Sequence, residues 1–402
     1  MLSPMENERQ FGAENYAPLP VVLTRGEGVF VWDTLGKRYM DMMSAYSAVS
    51  HGHCHPKLVE VLSKQSRQLA VVSRAFYSDK LGEFLKRACE VTGLDKALPM
   101  NTGAEAVETA LKAARKWAYT VKGVPVEQAE IIACEGNFHG RTIAIVGMSS
   151  ESQYRSGFGP FPVGFKIIPY GNAQTLERVI TNKTAAFLVE PIQGEGGIIL
   201  PPAGYLRQCA EICKKHNVLL ICDEIQTGLG RTGKMLACEH DGIKPDAVLL
   251  GKALGGGLLP VSLFLTRKEI MAVFSPGDHG STFGGNPLAA AVGLAAINLL
   301  FEENLIMRAA ELGEYFLQKL RAIRSPLLKE VRGKGLLIGL EVEASCSARS
   351  LCIKLLKLGV LTKETHNTVL RIAPPLVITK DQIDEVVTVI SQVLHEVESE
   401  KV

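Results

Sequence analysis

Two textures of apolar and polar residues divide this chain. Up to about residue 290, short unbroken apolar runs alternate with stretches in which apolar residues recur at helical spacing. The runs are Ala97–Met100, Glu130–Cys134, Phe165–Pro169, Ala185–Pro191, Val218–Cys222 and Ala247–Leu250. Continuous runs of this length predict strands buried on both faces. Between them, helices are predicted from Pro56 (Leu58, Val61, Leu62, Leu69), over Lys80–Val91, around Ala106, Val107, Ala110, Leu111 and Ala114, and over Leu206–His216. Such alternation predicts an α/β fold with a mostly parallel central sheet and helices on both faces. Ahead of it, residues 1 to about 28 read as an extended arm, followed by a hairpin from Val29–Asp33 through Thr34-Leu35-Gly36 to Lys37–Met42. Beyond Pro287 come an apolar helix and a charged amphipathic one (Leu305–Ile323). A strand (Gly335–Val342), a helix (Ala348–Leu358), short strands near Val360 and Val369–Ile372, and a helix from Thr379 to Glu400 complete the chain. That order predicts a smaller C-terminal α+β domain. The expected divisions are an N-terminal arm and hairpin (1–46), a large domain (47–293) and a small C-terminal domain (294–402).

Composition narrows the function classes. With 44 basic against 42 acidic residues, the net charge of +2 gives no electrostatic footprint for nucleic acid. No basic run suits an anionic membrane, and the longest apolar stretch, Pro287–Phe301, is too short to span one and carries Asn298. The first residues fit neither a signal nor a transit peptide. Nine scattered cysteines without a CxxC pair point to reduced thiols in a cytoplasm. Cys209 and Cys213, four apart on a predicted helix, read as core packing.

Two of the apolar runs end in chemistry. Val218–Cys222 delivers Asp223 and Glu224; Ala247–Leu250 delivers Gly251 and Lys252, with Gly255-Gly256-Gly257 close behind. An open parallel sheet binds its ligand at the carboxyl ends of its strands. An amine there can form a Schiff base with a carbonyl, although a solvated strand-end lysine has the same local pattern. An aspartate can hold a pyridine nitrogen protonated, or merely cap a helix. Thr102-Gly103-Ala104 stands between a strand and a strong helix, where free N–H groups suit a phosphate or an ordinary cap. A second glycine-flanked hydroxyl loop runs from Gly280 to Asn286. Gly228-Leu229-Gly230-Arg231-Thr232-Gly233 matches GxGxxG but opens no helix, and His51, His53 and His55 lack a second ligand cluster. Neither a dinucleotide nor a metal site is expected from them.

Taken together, ordered motifs over nearly the whole chain resemble the class III, fold type I, pyridoxal phosphate-dependent aminotransferases. The resemblance rests on Asn15–Pro20, Ser47–Val49 with Gly52–Pro56, Asn101–Ala106, Gly136–Thr142, Glu190–Glu195, Asp223–Gly228, Lys252 and Arg371–Pro375. It implies that Lys252 holds pyridoxal 5'-phosphate and shuttles a proton, and that Asp223 pairs with the ring nitrogen. Phe138 would stack on the ring and Gln226 would contact its phenolic oxygen, while Thr102, Gly103 and Ala104 take the phosphate. Ser281 and Thr282 would reach the cofactor of a second subunit, which implies a homodimer with shared active sites.

The resemblance further implies two small-molecule substrates, ornithine as amine donor and 2-oxoglutarate as acceptor. Arg141 would take the far carboxylate of either. Arg371 would take the near carboxylate of the acceptor and be masked by Glu195 while the cationic donor is bound, since a bare guanidinium would repel it. Tyr16 and Tyr46 would hydrogen-bond the free α-amine and α-carboxylate of ornithine. Acetylornithine or 4-aminobutyrate as donor is the alternative on the same scaffold.

Overall fold

The computed structural model describes residues 2–400. Met1, Lys401 and Val402, at the ends of the expected first and last domains, lie outside the described residues. Three sheets organise the chain. In the first, β1 (Leu23–Glu27), β2 (Phe30–Asp33) and β3 (Arg38–Asp41) form an antiparallel meander. Asp33 Oδ1 closes the expected turn by accepting the N–H groups of Leu35 and Lys37, both at 2.9 Å. The arm before it holds more structure than its composition suggests. Besides β1, a helix spans Pro4–Phe11, nucleated by a Ser3/Glu6 capping box with proline in its first turn. None of its residues is buried, so no apolar stripe announces it.

The central sheet contains β4 (Lys96–Met100), β5 (Glu130–Cys134), β6 (Phe165–Ile168), β7 (Thr184–Val189), β8 (Leu219–Asp223), β9 (Ala247–Leu250) and β10 (Ser262–Thr266), in the order β4-β10-β9-β8-β7-β5-β6. Pairing is parallel from β9 across to β6. β10 is antiparallel to both β9 and β4, which turns β4 back to the common direction. Six strands therefore end at one edge. Side chains alternate between two cores. Leu219 and Ile221 meet Val107, Ala110, Leu111 and Ala114 of the helix Gly103–Trp117. Leu220 and Cys222 face Leu206, Cys209 and Cys213 of the helix Tyr205–Lys215. With both faces covered, no position is left for a polar residue, hence the unbroken runs.

The third sheet is antiparallel. Following β11 (Leu328–Lys334), β12 (Leu337–Val342), β13 (Val360–Leu361), β14 (Lys363–Thr365) and β15 (Val369–Ile372) along the chain, its order is β11-β12-β15-β14. β13 instead pairs parallel with β3, so the N-terminal meander is completed by a C-terminal strand. β11 has no counterpart in the sequence reading, because Leu-Lys-Glu-Val-Arg-Gly-Lys is a half-exposed edge strand with a charged outer face. The apolar helix Pro287–Glu302 is buried against the helices Pro56–Ser66 and Leu81–Thr92. Among the described residues no single helix is long and apolar enough to cross a membrane.

Candidate active site

The shared strand edge gathers the candidate chemistry. β8 ends on Asp223, β9 is followed by Lys252, and β4 runs into Thr102-Gly103. The loop after β5 carries Phe138 and the loop after β7 carries Glu195. Of the expected residues, Gly103, Ala104, Phe138, Glu195, Asp223, Gln226 and Lys252 line one cavity of ≈ 200 Å³. His139 and Glu190 line it too, and the sequence reading gave them no role. The signal that singled out Asp223, an acid closing an apolar run, applies equally to Glu190 after Ala185–Val189.

Asp223 is buried and its two oxygens are both engaged. Oδ2 lies 2.7 Å from His139 Nδ1, and Oδ1 accepts the Ile225 N–H at 3.1 Å. Burial opposes a charge on His139, but the hydrogen bond to Asp223 and the charges of Asp223 and Glu190 hold its pKa above the ordinary value. His139 Nε2 is buried without a partner. Burial pushes Glu190 up to about 7, against the opposing charge of His139 and the N–H groups it accepts, Phe138 at 3.0 Å and Gly194 at 3.4 Å. Lys252 opens a short 3₁₀ turn at φ = 44°, a left-handed conformation uncommon for a side-chain-bearing residue. Burial lowers its amine below the ordinary lysine value, while Glu195, Asp223 and Glu190 pull the other way.

The remaining lining fits a flat ring carrying a phosphate. Thr102 and Glu105 form a capping box, leaving Gly103 and Ala104 in the first turn of a helix of 15 residues, where N–H groups precede the first intrahelical bond. A Cβ at Gly103 would meet Ile225 at 3.0 Å. At Gly194 a Cβ would fall 1.5 Å from Gln226 Oε1, so only glycine leaves that amide in place. Gln226 Oε1 is buried with no partner.

Beyond the ring position, Arg371 on β15 points at Glu195, Nη1 to Oε1 2.5 Å, and Gln226 Nε2 lies 3.4 Å from the same oxygen. The Tyr46 ring lies 4.6 Å from the Arg371 guanidinium carbon. Tyr46 belongs to a run, Ser44 to Ser47, in which all four residues have positive φ, from 42° to 73°. Arg141 is exposed and stands over Tyr154 at 4.1 Å and Phe138 at 5.5 Å. Tyr16 is exposed beside Lys363 and is not part of the cavity lining. Ser281 accepts a hydrogen bond from Asn101 Nδ2 at 2.8 Å and Thr282 is exposed; neither lines the cavity of its own chain. The three histidines at 51, 53 and 55 diverge, to Ala296 O, Asp41 and Glu303.

Comparison with known proteins gives a consistent picture. The family model for aminotransferase class III matches residues 11–394. A Brevibacillus brevis protein named ornithine aminotransferase is 56% identical over 391 residues, 97% of this chain and 98% of that protein. A crystal structure of the ornithine aminotransferase from Toxoplasma gondii, described as having partial occupancy of pyridoxal phosphate at its active site, superposes with a TM-score of 0.97. It is 45% identical and covers 98% of this chain and 94% of that one. An acetylornithine aminotransferase from Elizabethkingia anophelis is 49% identical, with a TM-score of 0.89 and 98% of both chains covered.

Proposed function

The chain belongs to the class III aminotransferases, and on that premise we propose that it transfers the δ-amino group of L-ornithine to 2-oxoglutarate. The products are glutamate 5-semialdehyde and glutamate, formed in alternating half-reactions with pyridoxal 5'-phosphate as cofactor. The fold, a type I transferase fold, and the enzyme class follow from the family; the donor, the cofactor and the roles of individual residues are the proposal. The observation that carries it is the Glu195–Arg371 ion pair beside the cavity of Lys252 and Asp223, with Tyr46 against the guanidinium.

When bound, pyridoxal phosphate supplies a carbonyl for the amine and a ring that takes up the electron pair released when a C–H proton leaves. Lys252 Nζ, its pKa lowered by burial, would take that proton from the donor's δ-carbon and deliver it to the carbon of the former carbonyl. Asp223 is oriented by His139 and would keep a proton on the ring nitrogen. Phe138 would flank the ring, and Gly103 and Ala104, with Thr102 as cap, would hold the phosphate. Arg141 takes the distal carboxylate, and Tyr46 and Tyr16 the polar end of ornithine. Glu195 neutralises Arg371 while the cationic donor is present and releases it to the α-carboxylate of 2-oxoglutarate.

Two copies complete the site in this reading. Ser281 and Thr282 serve the neighbouring subunit's phosphate. Phe76, Tyr77 and Phe283 are large side chains open to solvent, 68%, 106% and 55% exposed, and the Leu288 N–H bonds to Ala70 O, so their segments adjoin. A second copy is the partner such an apolar face suits.

The 49% identity to an acetylornithine aminotransferase favours one rival donor. Single-turnover bleaching of the cofactor absorbance by ornithine, N-acetylornithine and 4-aminobutyrate tests the choice. Ornithine is expected to be fastest by about tenfold or more; a faster reaction with N-acetylornithine overturns the assignment.

A further inference from the structure

Glu190 closes β7, and the mechanism above leaves it idle. Its carboxylate grips two separate loops. One oxygen accepts the Phe138 N–H at 3.0 Å and the other accepts the Gly194 N–H at 3.4 Å. Phe138 is the aromatic wall of the cavity, and the next residue, His139, is the partner of Asp223. Gly194 abuts the Gln226 amide, and the next residue, Glu195, is the partner of Arg371. A single carboxylate therefore joins the loop that would flank the ring to the loop that would mask the guanidinium.

We infer that Glu190 is a positioning residue that couples the cofactor clamp to the Glu195–Arg371 gate, so that disturbing it shifts cofactor affinity and donor preference together. The inference rests on the function proposed above. Burial gives the tie its strength, because both N–H groups lose their only charged acceptor if the side chain is removed. His139, Asp223, Lys252, Tyr170 and Cys134 are the titratable groups that face it from other elements. The Glu190 carbonyl, on the strand side, accepts the Tyr170 hydroxyl at 3.1 Å. A plain structural brace would have the same two bonds but would not move the two properties in concert.

The two oxygens can be separated. In Glu190→Gln the amide oxygen still accepts the closer Phe138 N–H, whereas the NH₂ cannot accept from Gly194. Apoprotein of wild type, Glu190→Ala, Glu190→Gln and Lys252→Ala would be titrated with pyridoxal 5'-phosphate by absorbance. Single-turnover rates with ornithine and glutamate and thermal melts complete the set. Glu190→Ala is expected to weaken cofactor binding about tenfold and to raise the glutamate-to-ornithine rate ratio about fivefold. Glu190→Gln should recover binding to within about threefold of wild type yet keep the altered ratio. A lower melting temperature with wild-type affinity and ratio makes Glu190 a brace of the fold and overturns the inference alone. Should Glu190→Ala fail to fold, an unchanged ratio in Glu190→Gln does the same. Wild-type protein that binds no cofactor, or binds it with no spectral difference from Lys252→Ala, overturns the proposed function and this inference with it.

Discussion

Asp223 and Glu224 are consecutive, both are enclosed by protein, and they belong to different parts of the machine. Glu224 turns away from the cavity and accepts the Thr227 hydroxyl at 2.5 Å and the N–H groups of Ala237 and Cys238 at 3.0 and 2.8 Å. Seven residues on, Arg231 is wholly buried and donates to Leu336 O, Pro374 O and the hydroxyls of Ser44 and Ser50. Apart from Arg231 Nε, which is buried without a partner, these charges close on backbone and hydroxyl groups and tie the central sheet to the N-terminal turn and the C-terminal sheet. Around Asp223 the balance differs. His139 and Gln226 each keep a buried polar atom without a partner, and five ionisable side chains, His139, Glu190, Glu195, Asp223 and Lys252, share one small cavity. Buried charge alone does not mark a site. Hydrogen-bonding capacity left over on side chains that line a cavity does, because there a bound molecule can satisfy it.

The sharpest way to break this contrast is to remove one charge from each side. Lys252→Ala should lower transamination at least about a thousandfold, since it removes both the attachment point and the proton carrier. Its melting temperature should stay within about a few degrees of wild type. Glu224→Ala should do the reverse. Three buried donors lose their acceptor, which costs about 3 kcal/mol in a urea-unfolding measurement, while the rate constants of the folded protein change by no more than about threefold. An inactive Glu224→Ala that unfolds like wild type would erase the distinction between the two acids.

Within the site, the gate should respond more gently than the clamp. Glu195→Ala is expected to raise the glutamate rate relative to ornithine by about tenfold, because Arg371 is then free for a carboxylate at all times and repels the cationic donor. Tyr46→Ile should narrow the preference for ornithine over 4-aminobutyrate by a similar factor, about tenfold, through loss of its hydroxyl. Single-turnover rates with each amine measure both. An unchanged ratio in either variant would move donor selection away from the Arg371 end of the cavity.

How much of this was legible in the sequence follows from the range of the interactions. Asp223 and Lys252 announce themselves locally, as polar residues closing apolar runs, and the Thr102–Glu105 capping box is a four-residue pattern. The edge they share is also legible, because five neighbouring parallel strands are the expectation for such runs. β10 is not. Ser262–Thr266 is short, begins two residues after Pro260 and runs antiparallel, and only its pairing with both β9 and β4 reveals it. The Glu195–Arg371 pair joins a loop residue beyond β7 to one on β15, 176 residues apart, a separation at which no periodicity or cap speaks; family resemblance alone suggested it. Glu190 carried the same local signal as Asp223. What set the two acids apart was the resemblance, which assigned a partner to one and none to the other.

The smallest expected effect is a slope rather than a loss, and it separates the two buried glutamates by another route. In the native state burial holds the Glu190 proton up to about pH 7, whereas an unfolded glutamate releases it near roughly 4.3. Between those values the native state binds the extra proton, so stability falls as pH rises, by at most about 1.4 kcal/mol per pH unit, and levels off above 7. His139, also raised, contributes with the same sign, its stabilisation present at low pH and lost as pH climbs through its folded value. Burial raises Glu224 as well, giving a third contribution of the same sign, remote from the cavity. Urea midpoints of the apoprotein at several values between pH 5 and 8 should therefore flatten partly in Glu190→Gln and partly in Glu224→Gln. Adding pyridoxal phosphate should alter the slope that depends on Glu190, since an anionic ligand enters its cavity, and leave the part that depends on Glu224. Equal sensitivity of both slopes to the ligand would mean that the two acids share one electrostatic environment after all.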